Sequence, residues 1–215
     1  MQLDHIIIAT TDLTRSARDL ASRTGLTAIE GGVHDGLGTR NYIVPLGRAY
    51  LELVAVHDRE LAQANDFGRL VLSGLRTGDD AFAGWAVEVD PDELETRADE
   101  RGLDVGRLTR RGVGIRHIGM TQALVSPGLP FLLARDANSA HPAEMAAAHR
   151  VAPMGVPTVT IGETQADLDT WLMRGTAELP VVCAADGRGI TAVTIDTAAG
   201  AVTLTADHPI GRVRA

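Results

Sequence analysis

An α+β fold built from repeated strand–helix–strand segments is what this sequence predicts, and three observations predict it. Three stretches share one layout: a short apolar strand, an amphipathic helix, then further strands. Their helices begin about 75–80 residues apart, longer than an ordinary solenoid period, so the repeat is one of modules, in layout rather than identity. Two metal-competent side chains, His5 and Glu52, each sit inside a largely apolar run on the first and last strands of the first segment.

The first segment opens with residues 3–9, a run of strand length. Thr11 or Asp12 follows as an N-cap, whose side-chain oxygen accepts from the free N–H groups of a helix start. Leu13, Ala17, Leu20 and Ala21 recur at helical spacing, and Gly25 suits the left-handed position that ends a helix. A short strand is expected at 27–30, then two strands at 41–46 and 49–56 joined by a turn at Gly47-Arg48. The second segment starts with a strand at 83–89. Asp90-Pro91 opens its helix, Leu94 and Ala98 mark the buried face, and Gly102 closes it. Strands are expected at 104–110, 116–125 and 130–135, with a turn at Pro127-Gly128. The third starts at 156–161, with Thr164 as cap, Leu168, Trp171 and Leu172 on one helical face, and Gly175 as terminator. Strands near 179–184, 189–196 and 201–205 follow, with turns at Asp186-Gly187 and Ala199-Gly200. Residues 57–80 and 136–155 read as irregular connections, the second with an Ala-rich helical turn at 144–148.

A chain of 215 residues, 45% hydrophobic, is long enough for a sizeable core, and with aromatics at 3% that core must be filled by Val, Ile, Leu and Ala. The formal charge is −8 and no Lys/Arg-rich run offers a phosphate-binding face, so nucleic acid is not an expected partner. Arg107, Arg110 and Arg111 read as a solvated strand edge. A single cysteine, Cys183, cannot close a disulfide within the chain and reads as a small buried hydrophobe in a reducing compartment. There is no charged leader followed by an apolar run, and no apolar stretch of the ~20 residues that span a bilayer. A cytoplasmic protein with no membrane partner is the expectation.

The segments Leu3-Asp4-His5-Ile6, Gly31 to Asn41 and Tyr50-Leu51-Glu52-Leu53 resemble the glyoxalase-like branch of the vicinal oxygen chelate (glyoxalase/bleomycin resistance/extradiol dioxygenase) superfamily. Looser matches continue through Leu129 to Leu133 and at His141-Pro142. The resemblance implies βαβββ modules that pair so that their mostly antiparallel sheets curl into an open barrel, with helices on the outer face. The organisation it implies is residues 1–136 as paired modules (1–56 and 81–136), and 137–215 as a linker plus a third module of the same layout. Which two modules share a barrel stays open. The third docks within the chain or on a second subunit, and a homodimer is one expected state. In this superfamily a metal sits in the concave face, and His5 and Glu52 match the first module's two ligand positions. The pattern then breaks: near the equivalent places stand Trp85 and Leu132 or Leu133, and Pro157 in the third module, none of which binds a metal.

His5 shares a strand face with Ile7 and Ala9, and Glu52 with Tyr50 and Val54. An enclosed carboxylate must be paired or metal-bound. A divalent ion (Zn, Mn, Fe or Ni) held by His5 and Glu52 is one reading; a satisfied His–Glu hydrogen bond, or a site with no metal, is the other. His34, His117, His141 and His149 are the candidates for a further ligand, His34 first, with His34 and Glu52 as the catalytic pair. His57 and His208 read as exposed loop residues. The run Gly36 to Asn41 leads into a strand rather than a helix, so it is not a phosphate loop. Either it is a tight turn, or Thr39, Arg40 and Asn41 line the cavity mouth, with Arg40 pairing a substrate carboxylate. Trp85 is either cavity floor or core. His117 completes the expected substrate-binding set. Two functions follow: a metal-dependent lyase, isomerase or dioxygenase acting on a small oxygenated or carbonyl substrate, or a metal-free protein that encloses a small apolar molecule.

Overall fold

The computed structural model describes residues 1–76, 79–110, 113–136, 139–173 and 178–211. Its architecture follows from strand β1 (Gln2–Thr10), in which every residue after Gln2 is buried. A strand buried on both faces needs cover on both, and β1 obtains it by sitting at the centre of an eight-stranded sheet.

The first module is β1, α1 (Leu13–Thr24), β2 (Ile29–His34), β3 (Thr39–Pro45) and β4 (Tyr50–Val56). Asp12 caps α1 by accepting from the Arg15 N–H, and Gly25 ends it at φ 83°. The second module is β5 (Asp80–Glu88), α4 (Pro91–Arg101), β6 (Gly106–Arg110), β7 (Val113–Ile118) and β8 (Phe131–Arg135). Asp90 caps α4, and Gly102 ends it at φ 60°. Within each module the first strand runs parallel to the last, β1 with β4 and β5 with β8. Antiparallel pairing of β1 with β5 joins the two into one sheet in the order β2-β3-β4-β1-β5-β8-β7-β6. The sheet's remaining pairings are antiparallel, which gives the curled, mostly antiparallel half-barrel that the resemblance implies.

Helices α1 and α4 lie on the outer face. Their Leu13, Leu20, Leu94 and Ala98 share a core with Ile6, Ile8, Leu51 and Leu53. The inner face has its own helices, and here the structure corrects the reading of 57–80 as irregular. Asp58 caps α2 (Arg59–Gln63) and Asn65 caps α3 (Asp66–Gly74). Phe67, Leu70 and Val71 of α3 pack on Ile7, Ala9 and Val54. The strand expected at 116–125 ends instead at Ile118. Gly119, at φ 85°, turns the chain into α5 (Met120–Val125), whose Met120 and Ala123 join the same inner cluster. The helical turn expected at 144–148 is a 3-10 turn at Pro142–Glu144.

The last third repeats the layout but not the topology. Its strands β9 (Pro153–Gly162), β10 (Val181–Cys183), β11 (Gly189–Thr197) and β12 (Val202–Thr205) form a separate sheet in the order β10-β9-β11-β12. The opening strand β9 lies between β10 and β11, whereas β1 pairs parallel with its module's last strand. Thr164 caps α6 (Gln165–Leu172), whose left-handed end is Met173 at φ 55°; the expected terminator Gly175 lies outside the described residues. Val159, Ile161, Leu168, Val193 and Ile195 belong to the outer core with Ile6, Ile8 and Trp85, so this unit docks within the chain on the back of the half-barrel.

Candidate functional site

The parity of β1 places His5 on the concave side with Ile7 and Ala9. Opposite, β4 presents Tyr50, Glu52 and Val54, and β3 presents Thr39 and Asn41 on the same side. His34, at the end of β2, pairs with Thr39. Five polar side chains thus converge on an apolar face, and all five are buried: His5, His34, Thr39, Asn41 and Glu52.

Their geometry is specific. His5 Nε2 stands 3.5 Å from Glu52 Oε2, and His34 Nε2 stands 3.5 Å from Glu52 Oε1. Both gaps exceed a normal N–H···O bond, and His5 Nε2 is buried without a hydrogen-bond partner among the described residues. Each histidine is held by its other nitrogen, and Glu52 is held through the oxygen that faces His34. His5 Nδ1 bonds Asp4 Oδ1, His34 Nδ1 bonds Thr39 Oγ1 at 2.8 Å, and Asn41 Nδ2 donates to Glu52 Oε1. The His5 ring stacks on Tyr50 at 4.8 Å, and the His34 ring meets Phe67 edge-on at 5.3 Å. Two imidazoles thus face the one carboxylate, His5 at Oε2 and His34 at Oε1, the oxygen that also accepts from Asn41.

Behind the cluster, Asp4 is fully buried. Burial works against its charge, but hydrogen bonds from His141, His5 and Arg135 overcome that and hold the carboxyl well below its ordinary pKa. Arg135 ends β8, bonds both Asp4 oxygens and Glu88, and has its own pKa raised, the Asp4 contact outweighing the cost of burial. Among the described His, Cys, Asp and Glu residues, taken one atom each, the group of three whose ligand atoms all lie within 4.8 Å of one another is Asp4, Glu88 and His141; His5, His34 and Glu52 do not meet that spacing together. Arg135 already supplies the cation there, since its guanidinium is paired with both carboxylates.

In front of the cluster lies a cavity of about 50 Å³. His5, His34, Glu52, His117 and Arg135 are among its polar lining, beside Tyr50 and Thr109; Leu37, Phe67, Met120, Phe131 and Leu133 are among its apolar walls. Its size admits on the order of four water-sized groups. His117 reaches it from β7 because its neighbour across the pair is Gly106, where a Cβ would collide with the imidazole ring. Burial lowers the His117 pKa, partly offset by the Asp66 carboxylate on α3.

Four residues expected to touch substrate sit otherwise, and one of them, Thr39, is buried against His34 outside the cavity lining. Trp85 is on the opposite face, fully buried in the outer core, with Nε1 donating to the Gly128 carbonyl at 2.9 Å; the bulges in the β1–β5 pairing hide its parity from the sequence. Arg40 lies on β3 between Thr39 and Asn41, so its side chain points away from the cavity and pairs with Glu30 at 3.4 Å. Asn41 faces inward but is engaged with Glu52. Of the other histidines, His149 accepts from the Thr27 N–H at 2.9 Å, and His141 bonds Asp4. Cys183 is half-buried with its pKa raised by burial, with Asp169 and Glu163 adding to it, so the thiol is not activated. The sequence reading missed Asp4 and Arg135. A charge inside an apolar first strand was the available signal, since it requires a partner.

A half-barrel of two βαβββ modules with an inward His and Glu on the first is the architecture of the vicinal oxygen chelate superfamily. The glyoxalase-like domain model matches residues 3–176, and the chain belongs to that family. No curated protein matches. A hypothetical protein from Staphylococcus aureus shares the fold at 15% identity and a TM-score of 0.55, over 80% of this chain and 74% of that one. Methylmalonyl-CoA epimerase from Mycobacterium tuberculosis aligns at 19% identity and a TM-score of 0.47, over 62% of this chain and 85% of its own.

Proposed function

We propose that this protein is a divalent-metal-dependent enzyme, a lyase, isomerase or dioxygenase, that acts on a small oxygenated or carbonyl substrate in the concave cavity. The observation that carries the reading is the pair of 3.5 Å gaps that set His5 Nε2 and His34 Nε2 against the two oxygens of Glu52. His5, His34 and Glu52 would hold the ion: Zn, Mn, Fe or Ni. Bound there, it would act as a Lewis acid on a carbonyl or enolate oxygen.

The chain's own residues do the rest. Asp4, Thr39 and Asn41 fix the orientation of the three donors. Phe67, Met120, Phe131 and Leu133 exclude water and bound the substrate's size. His117 faces the same space from the second module. Kept neutral by burial, it can take a proton from substrate on the side away from Glu52 and return it. The protein works in this reading as a cytoplasmic homodimer, a state that light scattering checks; no helix among the described residues is long and apolar enough to cross a membrane.

The test is metal analysis of purified wild type, His5→Ala, His34→Ala and Glu52→Ala after loading and dialysis. One ion per chain in wild type, and loss from each variant, is the expected result. The mostly apolar cavity wall favours the second reading, a metal-free protein that sequesters a small apolar molecule. Wild type without metal, together with dye binding displaced by Phe67→Ala, would establish that reading instead.

A further inference from the structure

On the second module's last strand Phe131 and Leu133 face the cavity that His5 and Glu52 line, and the end of that strand and the linker after it both reach Asp4 behind His5. We infer that Arg135 and His141 are positioning residues: acting through Asp4, they fix His5 as the Nδ1–H tautomer and thereby aim its Nε2 lone pair into the cavity. The inference rests on the proposed role of His5 for its functional meaning, but not for its geometry.

Donors and lone pairs around Asp4 decide the tautomer. Asp4 Oδ1 receives His5 Nδ1 and Arg135 Nη2, the latter at 2.9 Å. Asp4 Oδ2 receives Arg135 Nη1 and His141 Nε2, the latter at 2.9 Å. The His141 tautomer is itself set, because its Nδ1 accepts the Ala143 N–H at 3.0 Å; Nε2 must then carry the proton that it gives to Asp4. With Arg135 and His141 donating from their sides, Asp4 stays a pure acceptor, and His5 Nδ1 must be the donor between them. In the neutral ring the opposite nitrogen then keeps a lone pair, and it is the buried one without a hydrogen-bond partner among the described residues. Tyr50 completes the clamp, stacked on the His5 ring at 4.8 Å and edge-on to His141 at 5.8 Å. Glu88 takes the rest of the Arg135 charge at 2.8 Å. Where the superfamily's pattern would call on the second module for ligands, this chain uses that module to orient the first module's histidine.

The experiment reads the ring ¹⁵N shifts of His5 and His141 by NMR on the full, metal-free chain. Wild type should show a protonated Nδ1 and an unprotonated Nε2 at His5, and the reverse at His141. Asp4→Leu/Arg135→Leu removes both charges together, so that neither is stranded in the core, and His5 should then become a mixture of tautomers. His141→Ala, a milder change at a partly exposed site, should broaden the His5 signals while the fold is kept. In cobalt(II) competition the double variant should bind about 10–100-fold more weakly than wild type. A wild-type His5 protonated at Nε2, or a pure Nδ1–H tautomer in the folded double variant, would overturn the inference. If the tautomers behave as expected and wild type binds no cobalt, the positioning stands and the metal reading fails.

Discussion

The two paired modules use the same strand order but furnish their inner faces differently. The first presents His5, His34 and Glu52 to the cavity, with Thr39 bonded to His34 and Asn41 to Glu52. The second presents Phe131 and Leu133, with His117 and Arg135 at the side. One half carries the polar chemistry, and the other carries packing and orientation. The inner helices follow that division, since α3 and α5 seal the apolar part of the concave face and leave a small space against the polar part.

The sharpest way to break this comparison is to remove the support. Arg135→Ala takes the guanidinium from the buried Asp4 carboxylate and leaves it only its His5 and His141 bonds; breaking a buried pair from one side costs up to about 3–5 kcal/mol. Urea denaturation measures it. A loss below about 1 kcal/mol would place Arg135 in solvent. Trp85→Ala tests the faces instead. Emptying that outer-core position costs about 3–5 kcal/mol but should leave cobalt(II) stoichiometry unchanged; lost metal in a folded variant would place Trp85 in the site.

A smaller effect is the pH dependence that the second module contributes. Burial depresses the folded-state pKa of His117 below its ordinary 6.5, with Asp66 opposing. The unfolded chain therefore takes up the proton first, and stability falls as pH drops below about 6.5 toward the folded value. His149, depressed by burial with a Pro45 backbone bond opposing, has the same sign. His117→Gln should flatten part of that slope in urea titrations and leave the His149 share; an unaltered slope contradicts the buried placement. The smallest effect is expected at Arg40. Its pair with Glu30 is solvent-exposed, so Arg40→Ala should shift stability by less than about 1 kcal/mol and leave cobalt(II) affinity unchanged.

These residues also show how far the sequence could be read. His5 and Glu52 stood out because a polar side chain in an apolar strand needs a reason, and the caps Asp12, Asp90 and Thr164 marked their helices by simple chemistry. The inner helices carried signals of the same kind, with Asp58 and Asn65 as caps and Phe67, Leu70, Val71 and Gly74 at helical spacing, but the segment fell outside the repeated layout. Strand parity gave His5 and Glu52 their shared face and failed at Trp85, where bulges reset it. Arg135 was invisible as a site residue because its partner Asp4 is 131 positions away, and an arginine that ends an apolar strand reads locally as its wet end. The third unit matched in layout while its sheet order differs, since element order does not fix which strands pair.

The central claim is that the first module's inner face binds a divalent ion. Anomalous diffraction at the cobalt edge from crystals of the cobalt-loaded protein tests it most directly. The account predicts one peak among His5 Nε2, His34 Nε2 and Glu52. A peak at Asp4, Glu88 and His141 instead, or no peak at all, would contradict it.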